Sequence, residues 1–281
     1  MSQSVSAVKK KFKFKHTTLA QSIRQQLPRV SAITAMTVMT MSIPSFAQSF
    51  SAEIELSELD GTDGFVLNGA AGGDFSGSAV SGAGDVNGDG VDDFIVGAFR
   101  ANSDVRESGT VYVVFGSNAI GIDGAVELSD LDGTNGFEIR GTNIEDYAGY
   151  AVSEAGDING DGMDDLIIGT DRPNFDNTDP GESFVVFGGT DVGVGGVIEL
   201  SALNGRDGFV LNGADDGDDS GNSVSGAGDV NDDGVDDLII GATVATNPNG
   251  SRSGESYLVF GADEIGTVSY THLTLPTTPY V

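Results

Sequence analysis

The sequence predicts an all-β protein built from three copies of one unit. The segment Glu55–Gly61 recurs almost unchanged as Glu127–Gly133 and as Glu199–Gly205, at a spacing of 72 residues. Within each unit, short apolar runs rich in β-branched and aromatic residues alternate with Gly, Asn and Asp, as strands alternate with turns. A fixed period of this length indicates a repeat architecture in which every unit is one supersecondary element.

Four strands fit the first unit, at about 64–68, 78–83, 93–97 and 110–115. No amphipathic run at helical spacing extends beyond two turns. Four short strands per unit without a helix are typical of β-propeller blades; a β-solenoid and tandem β-sandwich modules are the alternatives. We predict a signal peptide over 1–47, blades over 48–126, 127–198 and 199–267, and an atypical tail over 268–281.

The first 47 residues have the layout of a secretory signal peptide. Residues 1–29 contain seven basic and no acidic residues, Val30–Ile43 is a mildly apolar run of 14, and small residues follow up to Ala47. The apolar run is shorter than the roughly 20 residues that a membrane span needs. We therefore predict export to the cell surface or the medium, in a Gram-negative envelope, without membrane insertion after cleavage. An organellar presequence and an uncleaved anchor are the alternatives.

The composition after residue 47 excludes several classes of partner and of active site. All 43 acidic residues lie there, against six arginines and no lysine, so we expect neither nucleic acid nor an anionic membrane as a partner. The sequence has no Cys, and its two histidines, His16 and His272, lie outside the repeats. This excludes Ser-His-Asp and Cys-His nucleophiles, a Schiff-base lysine and His- or Cys-ligated zinc from the repeats. We predict no catalytic residue.

One acidic loop in each unit carries the strongest chemical signal. The three loops share the pattern D-x-N-x-D-G-x-x-D and start at Asp85, Asp157 and Asp229. Oxygens at positions 1, 3, 5, 7 and 9 can surround one ion, position 7 through its backbone carbonyl, and Gly at position 6 permits the sharp turn. The predicted ligands are Asp85, Asn87, Asp89, Val91 and Asp93; Asp157, Asn159, Asp161, Met163 and Asp165; and Asp229, Asn231, Asp233, Val235 and Asp237.

An all-oxygen shell of this size favours Ca²⁺ over Mg²⁺, so we expect three calcium sites. An EF-hand is disfavoured, because its bidentate acid at position 12 is replaced by Val96, Ile168 or Ile240 in strand-like runs. A Gly/Asp turn without metal is the alternative, which three loops in register argue against. An extra acid at position 8 of each loop adds to the repulsion that a cation would remove.

The residues around these loops resemble the FG-GAP repeat, the blade of the integrin α-subunit N-terminal propeller. The resemblance rests on Phe75–Val80, on the loop itself and on Asp93–Ala98 in the first copy, and it covers about residues 55–265. It implies four-stranded blades with calcium in the hairpin loop between the first two motif strands. Two departures stand out: Asp219 replaces an expected aromatic residue in the third copy, and integrin-type propellers close with seven blades, not three.

Three blades fall short of the four to eight that close a propeller, so we predict an incomplete propeller. Either the chain is part of a longer protein, or it forms an open array that self-associates through exposed blade edges. The tail over 268–281 contains no acid and no glycine, where a fourth copy should begin. This composition favours a truncated gene with foreign sequence at its end.

The segments that follow the third strand of each motif differ most between the copies. Four of the six arginines lie there, and we predict them to be partner-binding residues: Arg100, Arg106, Arg172 and Arg252. Ordinary solvated loops are the alternative. The predicted function is a secreted or surface-displayed calcium-binding module for adhesion to an extracellular protein or glycan. The alternatives are the non-catalytic part of a larger extracellular hydrolase, or a carboxylate-based enzyme on the blades.

Overall fold

The computed structural model describes residues 53–102, 106–170, 179–247, 250, 252–263 and 265, all of which fall within one compact unit, Phe50–Val281. The predicted signal peptide, Arg172 and the predicted tail lie outside the described residues. The described part contains strands and three short 3-10 turns, and no α-helix. It therefore contains no helix long and apolar enough to cross a membrane.

The described chain forms fourteen strands. They are β1 Val66–Asn68, β2 Ala79–Gly84, β3 Asp93–Ala98, β4 Thr110–Val114, β5 Ala125–Glu127, β6 Gly136–Arg140, β7 Ala151–Gly156, β8 Asp165–Gly169, β9 Glu182–Val186, β10 Val197–Glu199, β11 Gly208–Asn212, β12 Ser220–Gly228, β13 Asp237–Ala242 and β14 Glu255–Val259. The 3-10 turns are Leu56–Glu58, Leu128–Asp130 and Leu200–Ala202. The predicted all-β class is confirmed.

Three sheets carry the repeats, and we call them blades 1, 2 and 3. Blade 1 has the strand order β2-β3-β4-β6, with β10 added beyond β6; blade 2 has the order β7-β8-β9-β11; blade 3 has the order β12-β13-β14. The pairs within each blade are antiparallel. The short strands β5 and β10 instead run parallel to β1 and β6.

The sheets do not coincide with the sequence repeats. The four predicted strands of the first unit exist, but the first of them, β1, does not pair with the other three. The outer edge of β4 is covered by β6, and the outer edge of β9 by β11, so each of these blades takes its fourth strand from the following unit. β6 and β11, which are the second strands after β4 and β9 along the chain, satisfy the free backbone groups of those edges.

The core lies between the blades as well as within them. All residues of β4 and β8 are buried, because sheets packed on both faces need apolar residues on both. One cluster contains Ile95 and Val113 of blade 1 together with Val152 and Ile168 of blade 2. A second cluster joins Ile167 and Val185 of blade 2 to Leu238 and Ile240 of blade 3. Neighbouring blades therefore share their apolar contacts.

Candidate metal centre

The three acidic loops connect the first two strands of each blade. They follow β2, β7 and β12, and each is preceded by a β-bulge at the end of that strand. The bulge glycines Gly84, Gly156 and Gly228 have φ between 67° and 74°, in the left-handed region. A bulge at this point turns the chain out of the ladder and into the loop.

In the first loop, the backbone folds around the side-chain oxygens of positions 1 and 3. The Asp89 N–H donates to both Asp85 Oδ1 (2.9 Å) and Asn87 Oδ1 (2.8 Å), which brings these two oxygens together. The Gly90 N–H donates to Asp85 Oδ2 (2.8 Å), and the Val91 N–H donates to Asp89 Oδ1 (2.9 Å). The carboxylates thus hold the turn closed through amide donors.

The second and third loops repeat this geometry. The Asp161 N–H donates to Asp157 Oδ1 and Asn159 Oδ1, both at 2.9 Å. The Asp233 N–H donates to Asp229 Oδ1 and Asn231 Oδ1, both at 3.0 Å. The amides of Gly162 and Met163, and of Gly234 and Val235, also take the same acceptors as in the first loop. The predicted periodicity of the loops therefore extends to their hydrogen bonds.

The ninth residue of each loop is buried and fixed to the backbone. Asp93 Oδ2 accepts from the Val86 N–H (3.1 Å), and Asp93 Oδ1 accepts from the Gly116 N–H (2.8 Å). Asp165 and Asp237 make the corresponding pair of bonds in blades 2 and 3. Burial raises the pKa of Asp93 to about 6 and that of Asp165 to about 8, because desolvation opposes their charged forms. These carboxylates join the loop to the third strand of its blade.

The loops offer oxygen donors suited to a hard cation, with open space beside the turn. A Cβ built on Gly90, Gly162 or Gly234 would meet no atom within 4 Å, and these glycines have φ of 87° to 93°. Positions 1, 3 and 5 of each loop carry carboxylate or amide side chains. Four of these nine residues are half-buried, namely Asp85, Asn87, Asp157 and Asn159, and the other five are exposed. Carboxylate, amide and carbonyl oxygens are the ligands that Ca²⁺ prefers. The residue types in these loops are therefore chemically suited to a calcium ion.

Within the described residues, however, no three Asp, Glu, His or Cys side chains form a group arranged to hold a metal. The reason is visible in the contacts of each loop. Positions 1 and 3 converge on one amide, one of them being Asn, while the position-9 carboxylate accepts two amides. Calcium binding by the five predicted ligands of each loop therefore stays a prediction.

The extra acid at position 8 has a role that the sequence did not reveal. Asp164 Oδ2 accepts from the Asp85 N–H of blade 1 (2.7 Å), and Asp236 Oδ2 accepts from the Asp157 N–H of blade 2 (3.1 Å). Each of these acids thus binds the loop of the preceding blade. The sequence feature that could have indicated this contact is an acid at position 8 together with a glycine directly before position 1, which occur in all three copies.

Further backbone bonds tie each loop to the next blade. The Gly189 N–H donates to Val86 O (2.8 Å), and the Ala262 N–H donates to Ile158 O (3.0 Å). Together with the acid at position 8, these contacts make the loop part of the interface between blades.

The predicted partner-binding arginines differ in their surroundings. The Arg100 guanidinium lies over the rings of Phe75 and Phe99, at 5.4 and 5.7 Å from their centroids. Arg106 forms an ion pair with Glu145. Arg252 is exposed and has φ of 55°. Arg100 and Arg106 thus have intramolecular contacts. Partner binding by these three described arginines stays a prediction.

An aromatic cluster surrounds Arg100 and marks the position where the third copy departs from the pattern. Phe99 contacts Phe75, Tyr147 and Tyr150, with centroids 5.7 to 5.8 Å apart. Phe75 and Tyr147 have positive φ, and Asp219 at the equivalent position also has φ of 54°. The backbone of the third copy therefore keeps its conformation without the ring.

Comparison with known proteins agrees with this geometry. Residues 76–114 and 220–259 match the FG-GAP repeat family. These segments hold the first three strands and the acidic loop of blades 1 and 3. A stretch of 95 residues is 39% identical to integrin alpha pat-2 of Caenorhabditis elegans. That stretch is 33% of this chain and spans 7% of the length of the relative, so the similarity is a distant one.

Proposed function

Because the chain carries FG-GAP repeats, distantly similar to those of an integrin α-subunit, we propose that it is a calcium-binding β-propeller module. In this proposal the three acidic loops bind calcium through Asp85, Asn87, Asp89 and the carbonyl of Val91, and through the equivalent residues of the other two copies. The module is exported, acts at the cell surface or in the medium, and mediates adhesion or protein–protein contact.

One observation carries the calcium proposal: three loops, 72 residues apart, fold their oxygens around the same backbone amide with distances that agree within about 0.2 Å. These oxygens close the turn by accepting backbone N–H groups, and they are also carboxylate and amide oxygens of the kind that Ca²⁺ prefers. The repeated pattern keeps them at positions 1, 3 and 5 of every copy.

Calcium would act on this chain as a stabiliser of the loops and of the contacts between blades. The acids at positions 1 and 5 of each loop repel one another in the free protein, and a bound cation relieves that repulsion. Binding to the folded chain alone adds about 2.7 kcal/mol per site when free calcium is about 100-fold above Kd. The millimolar calcium found outside cells matches the affinity of typical extracellular sites.

A calcium titration of the full chain tests this proposal. After removal of metal with EGTA, we expect the melting temperature to rise with added calcium, and isothermal titration calorimetry to give three sites per chain. Asp89→Ala should remove one site and lower the gain in melting temperature. Asp123→Ala removes the same charge from an exposed position outside the loops, and should keep all three sites.

A melting temperature that does not respond to calcium would refute the metal proposal. The adhesion role has a separate test. Fluorescent beads coated with the full chain should bind extracellular matrix proteins or polysaccharides on an array in calcium, and lose that binding in EGTA. Hydrolysis of an arrayed polysaccharide would contradict the non-catalytic role, and beads that bind nothing in calcium would contradict adhesion.

A further inference from the structure

The outer edge of β14 carries no strand among the described residues, unlike the same edge in the other blades. β6 pairs with β4, and β11 pairs with β9, but β14 pairs with β13 alone. Ser183 and Val185 in β9 are fully buried, whereas the equivalent Ser256 and Leu258 in β14 are exposed. Unpaired edges of this kind bind further strands readily.

The face of blade 3 beyond its acidic loop is uncovered too. Val86 and Ile158, at position 2 of their loops, have 0% exposure because the next blade lies over them, whereas Val230 is 55% exposed. Phe187 is 8% exposed and its ring contacts that of Phe209 of the next unit, whereas Phe260 is 54% exposed. The described residues of blade 3 thus expose a surface whose equivalents in blades 1 and 2 are buried.

The opposite end of the described chain holds the matching surface. β1 occupies the position of an outermost strand: it runs parallel to β5 as β6 does to β10. The inner strands of the blade that β1 would complete are not among the described residues. The sequence around β1, residues 63–70, is DGFVLNGA, identical to residues 207–214, whose strand β11 completes blade 2.

The loop side of blade 1 is complementary in the same way. Asp164 and Asp236 each bind the loop amide of the preceding blade, and Asp92 is the equivalent acid, on an exposed loop of blade 1. A Cβ on Gly84 or Gly156 would overlap that acid of the next blade, whereas a Cβ on Gly228 would meet nothing within 4 Å. Val80 of β2 is 66% exposed, against 9% for the equivalent Val152.

We propose that the chain self-associates head to tail, with β1 of one copy completing blade 3 of a second copy. The pairing of β9 with β11 sets the register: Val66 of one copy faces Tyr257 of the other, as Val210 faces Phe184. Phe65 of one copy contacts Phe260 of the other, and the Asp92 carboxylate accepts from the Asp229 N–H. The inference does not depend on calcium binding.

Such a contact is heterologous, because two different surfaces of the chain meet. If the rotation between successive copies brings the last copy back to the first, the contact generates a closed ring. Otherwise it generates an open series of copies. Two copies supply six blades, within the four to eight that closed propellers use. A dimer and a longer series both contain the proposed contact.

Cysteine cross-linking of the full chain tests the contact, since the natural sequence has no Cys. Paired strand residues have Cα atoms about 4.5–5.5 Å apart, which a disulfide can span. Val66→Cys protein mixed with Tyr257→Cys protein should give a disulfide-linked heterodimer under mild oxidation. Val66→Cys mixed with Ser256→Cys should give much less, although Ser256 is the more exposed of the two positions, because its side chain points to the other face.

Sedimentation of the chain in saturating calcium provides the second measurement. We expect the mass to increase with concentration, and Val230→Arg to abolish that increase. Val194→Arg is the matched control, since Val194 is 64% exposed, lies in a turn and takes no part in the proposed contact, and it should associate normally. Three results would each overturn the proposal. The first is a chain that stays monomeric at high micromolar concentration, and the second is equal cross-linking of Val66→Cys to Ser256→Cys and to Tyr257→Cys. The third is a Tyr257→Cys thiol that is shielded within the monomer.

Discussion

Blades 2 and 3 have nearly the same sequence pattern but differ in burial. Their acidic loops make the same hydrogen bonds, and their ninth-position acids are both fully buried. Beyond the loop they diverge, since Ile158 and Phe187 of blade 2 are covered while Val230 and Phe260 of blade 3 are exposed. Local sequence therefore fixes the loop and the hairpin, and the neighbouring blade fixes how much apolar surface is buried.

This difference indicates how stability is distributed along the repeats. In repeat proteins the free energy of unfolding is approximately a sum of terms for each unit and for each interface. Blade 2 contacts a blade on either side, whereas among the described residues blade 3 contacts one. Substitutions at equivalent positions of the two blades measure the interface term directly, and dilute protein keeps that measurement free of self-association.

The largest difference is expected for the aromatic residue after the third strand. Phe187→Ala removes a buried ring that packs against Phe209 and should lower the free energy of unfolding by about 3–5 kcal/mol. Phe260→Ala, at the half-exposed equivalent position, should cost about 1 kcal/mol or less. Urea unfolding followed by circular dichroism measures both, and equal costs would contradict the importance of the interface.

The bulge glycines give a second matched pair. Gly156→Ala and Gly228→Ala meet the same backbone strain, because their φ values are 74° and 67°. Only at Gly156 would the new Cβ overlap the Asp236 carboxylate. We expect Gly156→Ala to destabilise by about 1–3 kcal/mol more than Gly228→Ala. If the two variants have the same urea midpoint, Asp236 moves aside without a cost in stability.

Acid pH should stabilise the protein when calcium is removed. The pKa values of Asp93 and Asp165 are about 6 and about 8 in the folded state, above the unfolded value of 3.8. A raised pKa means that the folded chain holds a proton that the unfolded chain releases. The stability this contributes is present at low pH and is lost as pH rises through the folded pKa.

The free energy of unfolding in chelated buffer should therefore increase as pH is lowered from about 8 to about 5. Each carboxyl contributes on the order of 1.4 kcal/mol per pH unit within its window. Below about pH 4 the trend reverses, because hydrogen bonds lower the pKa values of Asp60 and Asp132. Denaturant unfolding across this range is the measurement. Asp165→Asn should flatten the slope between pH 5 and pH 8, and an unchanged slope would exclude Asp165 as its source.

The smallest expected effect is at position 4 of the third loop. Asp232 has φ of 62°, where the first two loops have Gly88 and Gly160 with φ of 72° and 73°. Asp232→Gly should relieve strain and remove one repelling charge, and raise stability by about 0.5–1 kcal/mol without calcium. Gly160→Asp is the reverse change in blade 2 and should destabilise, since its Cβ would lie 2.8 Å from Asp263 Oδ1. Melting temperatures of both variants in EGTA, compared with that of the unchanged chain, show whether each substitution stabilises or destabilises.

Much of the fold could be predicted from local patterns. The four strands of the first unit begin and end within about two residues of their predicted positions, because β-branched runs such as Val111–Val114 fit a buried sheet and clusters of Gly and Asp favour turns. The period of 72 residues likewise predicted three equivalent hairpins and three equivalent loops. The resemblance to FG-GAP repeats was confirmed by the family match.

The pairing of strands across repeats could not be predicted in the same way. Nothing in the sequence of β1 shows that it leaves β2 unpaired, since its residues fit equally well on either edge. The position-8 acids were expected to crowd their own loops, whereas Asp164 and Asp236 bind the preceding blade. Such contacts join residues 79 positions apart, and no local rule reports on them.

The sequence by itself thus determined the hairpins, the turns and the oxygen donors of the loops, because backbone conformation and ligand chemistry depend on residues close in the chain. The tertiary structure alone decided which strand completes which blade and which apolar side chains are buried. Identical octapeptides at 63–70 and 207–214 make the point. β11 completes the four-stranded sheet of blade 2, whereas β1 pairs with β5 alone, because only β11 has the edge of β9 beside it.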